Sequence, residues 1–390
     1  MLGLRPGSYP AIRNPQSAIR EGAGVLIDRR LVSHFDWRLA GLVVGLALYG
    51  ILTIYSGNAP STSAFRRGLP MRQIGWLLLG LTALGGACLI HYRTVYRFAY
   101  PIFACCLLSL VAVLVAGRTG LGAQRWIRVG PLSFQPSEFV KLGLILFLAR
   151  YFDDRRDELD RPRVLLLPAA FTLLATAMVL KQPDLGTAML LALTGLFVML
   201  LVGLRPLHLV PFTVAGLAAA PLLWMFLKDY QKRRIITFLN PDLDPLGAGY
   251  HVAQSKIAVG SGGILGKGWL AATQSQLNFL PLNHTDFIFA VQAEQWGFLG
   301  SLALLGAYAL LILKALHIAR DAKDLFATLV AAGVGGMLLF QVSINVGMVT
   351  GLLPVVGVPL PLLSYGGSSL ITTLLSLGLV LNIHMRRFVY

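Results

Sequence analysis

The chain has 390 residues, 56% hydrophobic and only 13% charged, with a mean hydropathy of +0.70. A soluble chain carries about a quarter charged residues, so these values exclude a soluble protein and point to an integral membrane protein. The formal net charge is +16, yet the basic residues are spread over many short loops, which excludes a nucleic-acid-binding face.

Residues 1–37 are Arg-rich, punctuated by Gly and Pro, and lack an apolar h-region before Arg38. They read as a cytoplasmic basic N-terminal tail lying near anionic membrane lipid, not as a cleavable signal. Apolar runs long enough to span follow at 38–56, 73–91, 97–116, 137–151, 164–180, 186–203, 207–227, 288–314, 326–350 and 366–385. The expected fold is all-α and polytopic, with ten transmembrane helices over 38–390 and a large outer-face loop at 228–287 between spans seven and eight.

An even span count puts both termini on one side. With that side cytoplasmic, inner segments hold roughly nineteen Lys and Arg and outer segments roughly thirteen, as the positive-inside rule asks. The outer cations cluster at Arg66, Arg67 and Arg72, at Arg118, Arg125 and Arg128, and in the loop at Lys228, Lys232, Arg233 and Arg234. Such a cluster suggests an anionic ligand on the outer face. Cys88, Cys105 and Cys106 all fall in apolar stretches and suit packing, not a disulfide or metal framework. The seven histidines show no metal-ligand spacing.

Topology narrows the seventeen acids to those on the outer face or at membrane depth. Asp286 leads, because a span begins immediately after it with Phe287-Ile288-Phe289-Ala290. Apolar and aromatic surroundings raise a carboxyl pKa toward the range of a general base; a helix N-cap is the structural alternative. Glu138 and Lys141 lie at i and i+3 on one helix face, where they either serve a site or neutralise each other. Arg125 beside Trp126 offers a phosphate fork next to a flat apolar face, or an interfacial anchor.

Asp184, in Gln182-Pro183-Asp184-Leu185-Gly186-Thr187, reads as a helix cap. Ser364 and Gly366 open the last span in a small-residue run that permits close approach of backbone or ligand. The run Gly262-Gly263-Ile264-Leu265-Gly266-Lys267-Gly268 fails as a phosphate loop, since Ser261 and Gly268 replace its first glycine and its final hydroxyl residue.

Several stretches together carry a resemblance. They are Gly122-Ala123-Gln124-Arg125-Trp126, Phe134-Gln135-Pro136-Ser137-Glu138, the 182–187 turn, Gly249-Tyr250-His251 through Trp269, His284-Thr285-Asp286-Phe287-Ile288-Phe289-Ala290, and Leu363-Ser364-Tyr365-Gly366-Gly367-Ser368-Ser369. In this order, from about residue 38 to the C-terminus, the chain resembles the SEDS family of bacterial cell-wall polymerases. Pro354-Val355-Val356-Gly357-Val358-Pro359-Leu360-Pro361 is similar to the elongation, RodA-like branch rather than the division branch. Gln295 after Glu294 and the basic tail depart from the family pattern.

The resemblance implies a peptidoglycan glycosyltransferase of the cytoplasmic (inner) membrane that polymerises lipid II at its outer face for cell elongation and rod shape. It implies Asp286 as the catalytic base. Arg125, Trp126, Glu138, Lys141, Asp184, Lys232, Arg233, Ser364 and Gly366 are then the substrate-binding candidates. It implies a class B penicillin-binding protein as partner. No cofactor is fixed, although a divalent cation, Mg or Mn, would suit the diphosphate. A lipid II flippase and a non-catalytic scaffold are the competing readings. The first would need polar residues through the full bilayer depth, and the second would have little use for Asp286.

Overall fold

The structure, a computed structural model, describes residues 34–59, 63–116, 118–120, 123–129, 132–202, 229–240, 247–277, 279–280 and 282–387. Its long helices are α1 (Trp37–Asn58), α2 (Leu69–Leu89), α3 (Tyr92–Ala116), α4 (Pro136–Asp154), α5 (Leu166–Lys181) and α6 (Leu185–Leu201). Strands β1 (Arg118–Gly120), β2 (Ala123–Val129) and β3 (Leu132–Phe134) separate α3 from α4. Helices α7 (Asp229–Leu239) and α8 (Ala248–Ser261) lie in the predicted loop, followed by α9 (Ile288–Arg320), α10 (Leu325–Thr350) and α11 (Gly367–Arg386). Among the described residues seven helical stretches are long and apolar enough to cross a membrane, and α6 is shorter and largely apolar. The span predicted at 207–227 lies outside the described residues.

Helix α10 is the axis of the bundle. The buried share of its apolar window is 89%, against 22% for α3, so α10 is wrapped by protein while α3 leaves most of its apolar surface uncovered. It packs against α9, α4, α6, α8 and α11. Its ends are set locally: Asp324 Oδ1 accepts from Ala327 N at 2.8 Å, and Gly351 ends the helix at φ 76°, a left-handed cap that glycine adopts without strain. Helix α1 starts the same way, Asp36 Oδ1 accepting from Leu39 N at 3.0 Å.

Two features escape a reading of hydropathy. The 118–134 stretch, expected as an outer loop, pairs β1 with β2 and β2 with β3 in antiparallel register, Arg118 opposite Trp126 and Ile127 opposite Phe134. The 228–287 loop is also partly helical. The glycine run after α8 is a backbone clasp on α9, which breaks at Gly297 (φ 64°). There Phe298 N donates to Gly263 O at 2.9 Å and Leu299 N to Ile264 O at 3.1 Å. Gly268 N donates to Gln295 O at 3.0 Å. A break in a helix at membrane depth is tolerated where other backbone satisfies the freed groups.

The clasp leaves no room for a side chain. A Cβ on Gly262 would lie 2.1 Å from Ala293 O, and one on Gly266 2.1 Å from Gln295 O, whereas one on Gly260 meets nothing within 4 Å. Gly262→Ala and Gly266→Ala are therefore expected to destabilise the protein by about 1–3 kcal/mol, read as a lowered Tm in detergent. Gly260→Ala should melt with the wild type; equal melting of all three would remove the clasp as a constraint.

Candidate active site

The starts of α4, α6, α9 and α11 meet at one end of the bundle, and the polar residues singled out above meet with them. The peptide leading into α9 is held by its backbone carbonyls and by the Asn283 side chain. Asn283 Nδ2 donates to Gly57 O at 3.1 Å, Tyr365 N to His284 O at 2.8 Å, and Ser364 Oγ to Thr285 O at 2.6 Å. Asn345 Nδ2, from α10, donates to Asp286 O at 2.9 Å and to Val358 O at 2.7 Å. The 357–366 segment is fastened in turn, Gln73 Nε2 donating to Ser364 O at 3.1 Å and Gly366 N to Gln73 Oε1 at 3.3 Å.

This arrangement leaves the Asp286 side chain unused by the fold. The helix cap is Phe287, without a side-chain cap bond, so the alternative role weighed for Asp286 is not taken up. Among the described residues no hydrogen bond to its carboxylate is present. Asp286 is half-buried by surface but deeply enclosed by surrounding atoms, so its carboxyl lies in a crevice. A Cβ on Gly357 (φ 78°) would come within 3.4 Å of its Oδ2. Burial and then the nearby Asp184 charge push the Asp286 carboxyl up to about 6, against the smaller opposing pull of Arg234 and Arg125.

Asp184 caps α6, its Oδ1 accepting from Thr187 N at 3.2 Å and its Oδ2 from Thr187 Oγ1 at 3.0 Å. Gln135 Nε2 donates to the same Oδ2 at 3.3 Å, and Arg125 Nη1 lies 3.9 Å from it. Arg125 reaches over from β2: its Nε donates to Gln182 O at 3.1 Å and its Nη2 to Pro183 O. The turn sits hard against the 356–358 segment, since a Cβ on Gly186 would lie 2.7 Å from Val356 O. One packed contact thus brings Asp184 and Arg125 toward Asp286.

The other candidates fall at different distances from this centre. Glu138 Oε2 and Lys141 Nζ form an ion pair at 2.8 Å, both residues at most 3% exposed. Ser364 is a clamp: its Oγ accepts from Leu360 N at 2.8 Å while donating to Thr285 O. Gly366 is held by Gln73, and Trp126 is half-buried on β2. Lys232 is half-buried on α7, the side chain of Arg233 and all of Lys228 lie outside the described residues, and Arg234 is the member of that run whose charge acts on Asp286.

Asn345, Gln73 and Gly357 were missed by sequence reasoning. Asn345 carries a usable signal, an amide inside an apolar span. Glu294, 0% exposed, is met by Lys267 Nζ at 2.7 Å and Thr273 Oγ1 at 2.9 Å, fastening the loop to α9. Among the described residues no three His, Cys, Asp or Glu side chains converge as a metal cluster. Asp184 and Asp286 are two neighbouring carboxylates, as many as a cation held mainly by substrate phosphates requires.

Leaving either charge of the Glu138–Lys141 pair alone in the bundle costs about 3–5 kcal/mol, whereas replacing both by apolar residues is often neutral. Glu138→Gln and Lys141→Met are each expected to lower the Tm in detergent, and the double variant Glu138→Leu/Lys141→Met to restore it. A double variant no more stable than the singles would show that the pair is needed for folding as a pair.

Residues 37–388 match the FtsW/RodA/SpoVE family model, described as cell cycle protein. The peptidoglycan glycosyltransferase MrdB of Escherichia coli is 45% identical over 358 residues, covering 91% of this chain and 94% of the relative. The peptidoglycan glycosyltransferase RodA of Treponema pallidum is 35% identical, covering 92% and 99%. Among solved structures, a chain of a peptidoglycan synthase complex that coordinates polymerization and crosslinking superposes with a TM-score of 0.79 at 38% identity, covering 91% of this chain and 99% of that one. The rod shape determining protein RodA of Thermus thermophilus superposes at 0.68 with 36% identity, covering 91% and 98%. The chain belongs to the FtsW/RodA/SpoVE family of bacterial membrane proteins, the SEDS family.

Proposed function

We propose that the chain is a peptidoglycan glycosyltransferase of the elongation type, in which Asp286 is the base that activates the acceptor sugar. The carrying observation is a carboxylate in a crevice that the fold holds by its backbone alone, with its pKa raised to about 6. The substrate is lipid II. Asp286 takes the proton of the acceptor GlcNAc 4-hydroxyl as that oxygen bonds to the donor MurNAc C1. The bond from C1 to the diphosphate breaks with inversion, and undecaprenyl diphosphate leaves with the electron pair.

No second acid is needed, because a diphosphate departs as an anion once its charge is neutralised. Arg125, Lys232, Arg233 and Arg234 are the candidates for that charge, with Trp126, Asp184, Ser364 and Gly366 shaping the binding surface. Glu138 and Lys141, expected there from the sequence, are buried and neutralise each other instead. A divalent cation, if used, would be held by Asp286 and Asp184 together with the diphosphate and would supply further neutralisation. The basic residues at the opposite end of the bundle orient that end to the cytoplasm and the Asp286 end outward. A class B penicillin-binding protein is the partner.

The test is polymerisation of lipid II by purified protein, with and without that partner, comparing wild type with Asp286→Asn. A general base contributes roughly 100- to 10,000-fold, so the variant should form strands slower by that factor at an unchanged Tm. Strands from both at one rate would remove Asp286 from the chemistry.

The pH profile adds a second check. Asp286 must be ionised to act, so the wild-type rate should fall as pH drops through about 6. Asp184→Asn keeps a competent helix cap but removes the neighbouring negative charge, which favours ionised Asp286. The acid limb of this variant should move to lower pH; an unmoved limb would separate Asp184 from Asp286 electrostatically.

A further inference from the structure

At the end of the bundle opposite Asp286, the start of α1 and the ends of α9 and α11 border an open cavity of about 460 Å³. Its lining includes the cations Arg38, Lys314 and Arg387 and the imidazole of His384, against one carboxylate, Asp36. Asp36 Oδ2 accepts from Lys314 Nζ at 2.8 Å, which uses one of the three ammonium donors. Arg387 Nη1 is fixed by Asp321 Oδ2 at 2.5 Å, outside the cavity lining. His384 Nδ1 is a buried atom with no hydrogen-bond partner among the described residues.

A cavity that holds fixed cations and a spare buried ring nitrogen against one neutralised acid is built for an anion with several acceptor oxygens. Its surroundings identify the carrier. Trp37, at the cavity wall, is 69% exposed, as an interfacial anchor is. Leu310 and Leu313, each 60% exposed, lie on α9 beside Lys314 and His317 at helical spacing. An acyl chain could run along that apolar stripe while its phosphate sat in the cavity. We infer that this cavity is a headgroup site for an anionic phospholipid, gripping the ends of α1, α9 and α11 through one phosphate. Basic pockets between helix ends take such headgroups.

The inference is independent of the polymerase reading, and its test needs no activity. Native mass spectrometry of the full chain in detergent would follow retention of phosphatidylglycerol and phosphatidylcholine. Phosphatidylglycerol should be retained preferentially, and Arg38→Gln should weaken its retention about fivefold, the expected effect of one surface charge. Arg38 is exposed, so this variant should fold; His384→Phe, which removes the ring nitrogens and keeps an aromatic ring, should also weaken retention. Arg163→Gln removes an exposed charge of the same bundle end outside the cavity and should change nothing. An equal loss in Arg163→Gln would overturn a built site in favour of diffuse attraction. Equal retention of the two lipids, or inorganic phosphate displacing phosphatidylglycerol at equal concentration, would overturn the anionic phospholipid as occupant.

Discussion

One side-chain amide, that of Asn345, holds the site together. Fully buried near the C-terminal end of α10, it donates to the carbonyls of Asp286 and Val358, two segments far apart in sequence and neither helical. Backbone that leaves helical geometry inside a membrane bundle must find its hydrogen bonds within the protein. Ser364 and Gln73 complete that satisfaction: Ser364 accepts from Leu360 N and donates to Thr285 O across the two segments, while Gln73 donates to Ser364 O and accepts from Gly366 N within one of them. The whole load is carried by carbonyls and amides. The Asp286 carboxylate is therefore placed by the fold without being used by it, a condition a proton acceptor needs.

The same device recurs at the opposite end. Asn382 of α11 donates to Ala87 O at 2.6 Å and Cys88 O at 3.0 Å, tying the frayed carbonyls of α2 to its neighbour. Both asparagines sit on well-enclosed helices, so each fixes a peripheral chain segment to the core. The core between them is mostly apolar, with a few buried hydroxyls and the Gln341 amide among the aliphatic side chains. Leu329, Ala331, Ala332 and Val334 of α10 are all fully enclosed, and a Cβ on Gly333 would lie 2.8 Å from Ile145 Cγ2. Rigidity between two pinned ends keeps Asp286, Asp184 and Arg125 in register.

Spans were legible because length and apolarity are sufficient signals in a bilayer. The run expected at 326–350 is Leu325–Thr350, and that expected at 186–203 is Leu185–Leu201. Asp286 stood out because a carboxylate at the mouth of an apolar helix is costly without a use. The strands at 118–134 were not legible, since strands of three and seven residues with mixed polarity carry no period that outweighs a loop. Nor was the clasp of Gly262 and Gly266 on α9, because the run fits a turn equally well until Gly297 is seen breaking the helix it meets. The field at Asp286 was hidden for a different reason. It comes from Asp184 and Arg234, which share no sequence neighbourhood with it and meet it only through tertiary packing.

The distribution of polar groups also bears on how such a protein handles a lipid-linked sugar. Asp286, Asp184, Arg125 and the Glu138–Lys141 pair gather where α4, α6 and α9 begin. Arg38, Lys314 and Arg387 gather where α1 begins and α9 and α11 end. Between these poles α10 is apolar over most of its length, and its packing leaves no room for a sugar to pass beside Gly333. A carrier must expose polar surface along its whole path, because a sugar desolvated in hydrocarbon loses its hydrogen bonds to water. A polymerase needs only one polar end, with the isoprenoid left in the bilayer and the diphosphate at the interface. Among the described residues, the close packing of α10 between the two polar poles therefore favours chemistry at one surface over passage beside that helix.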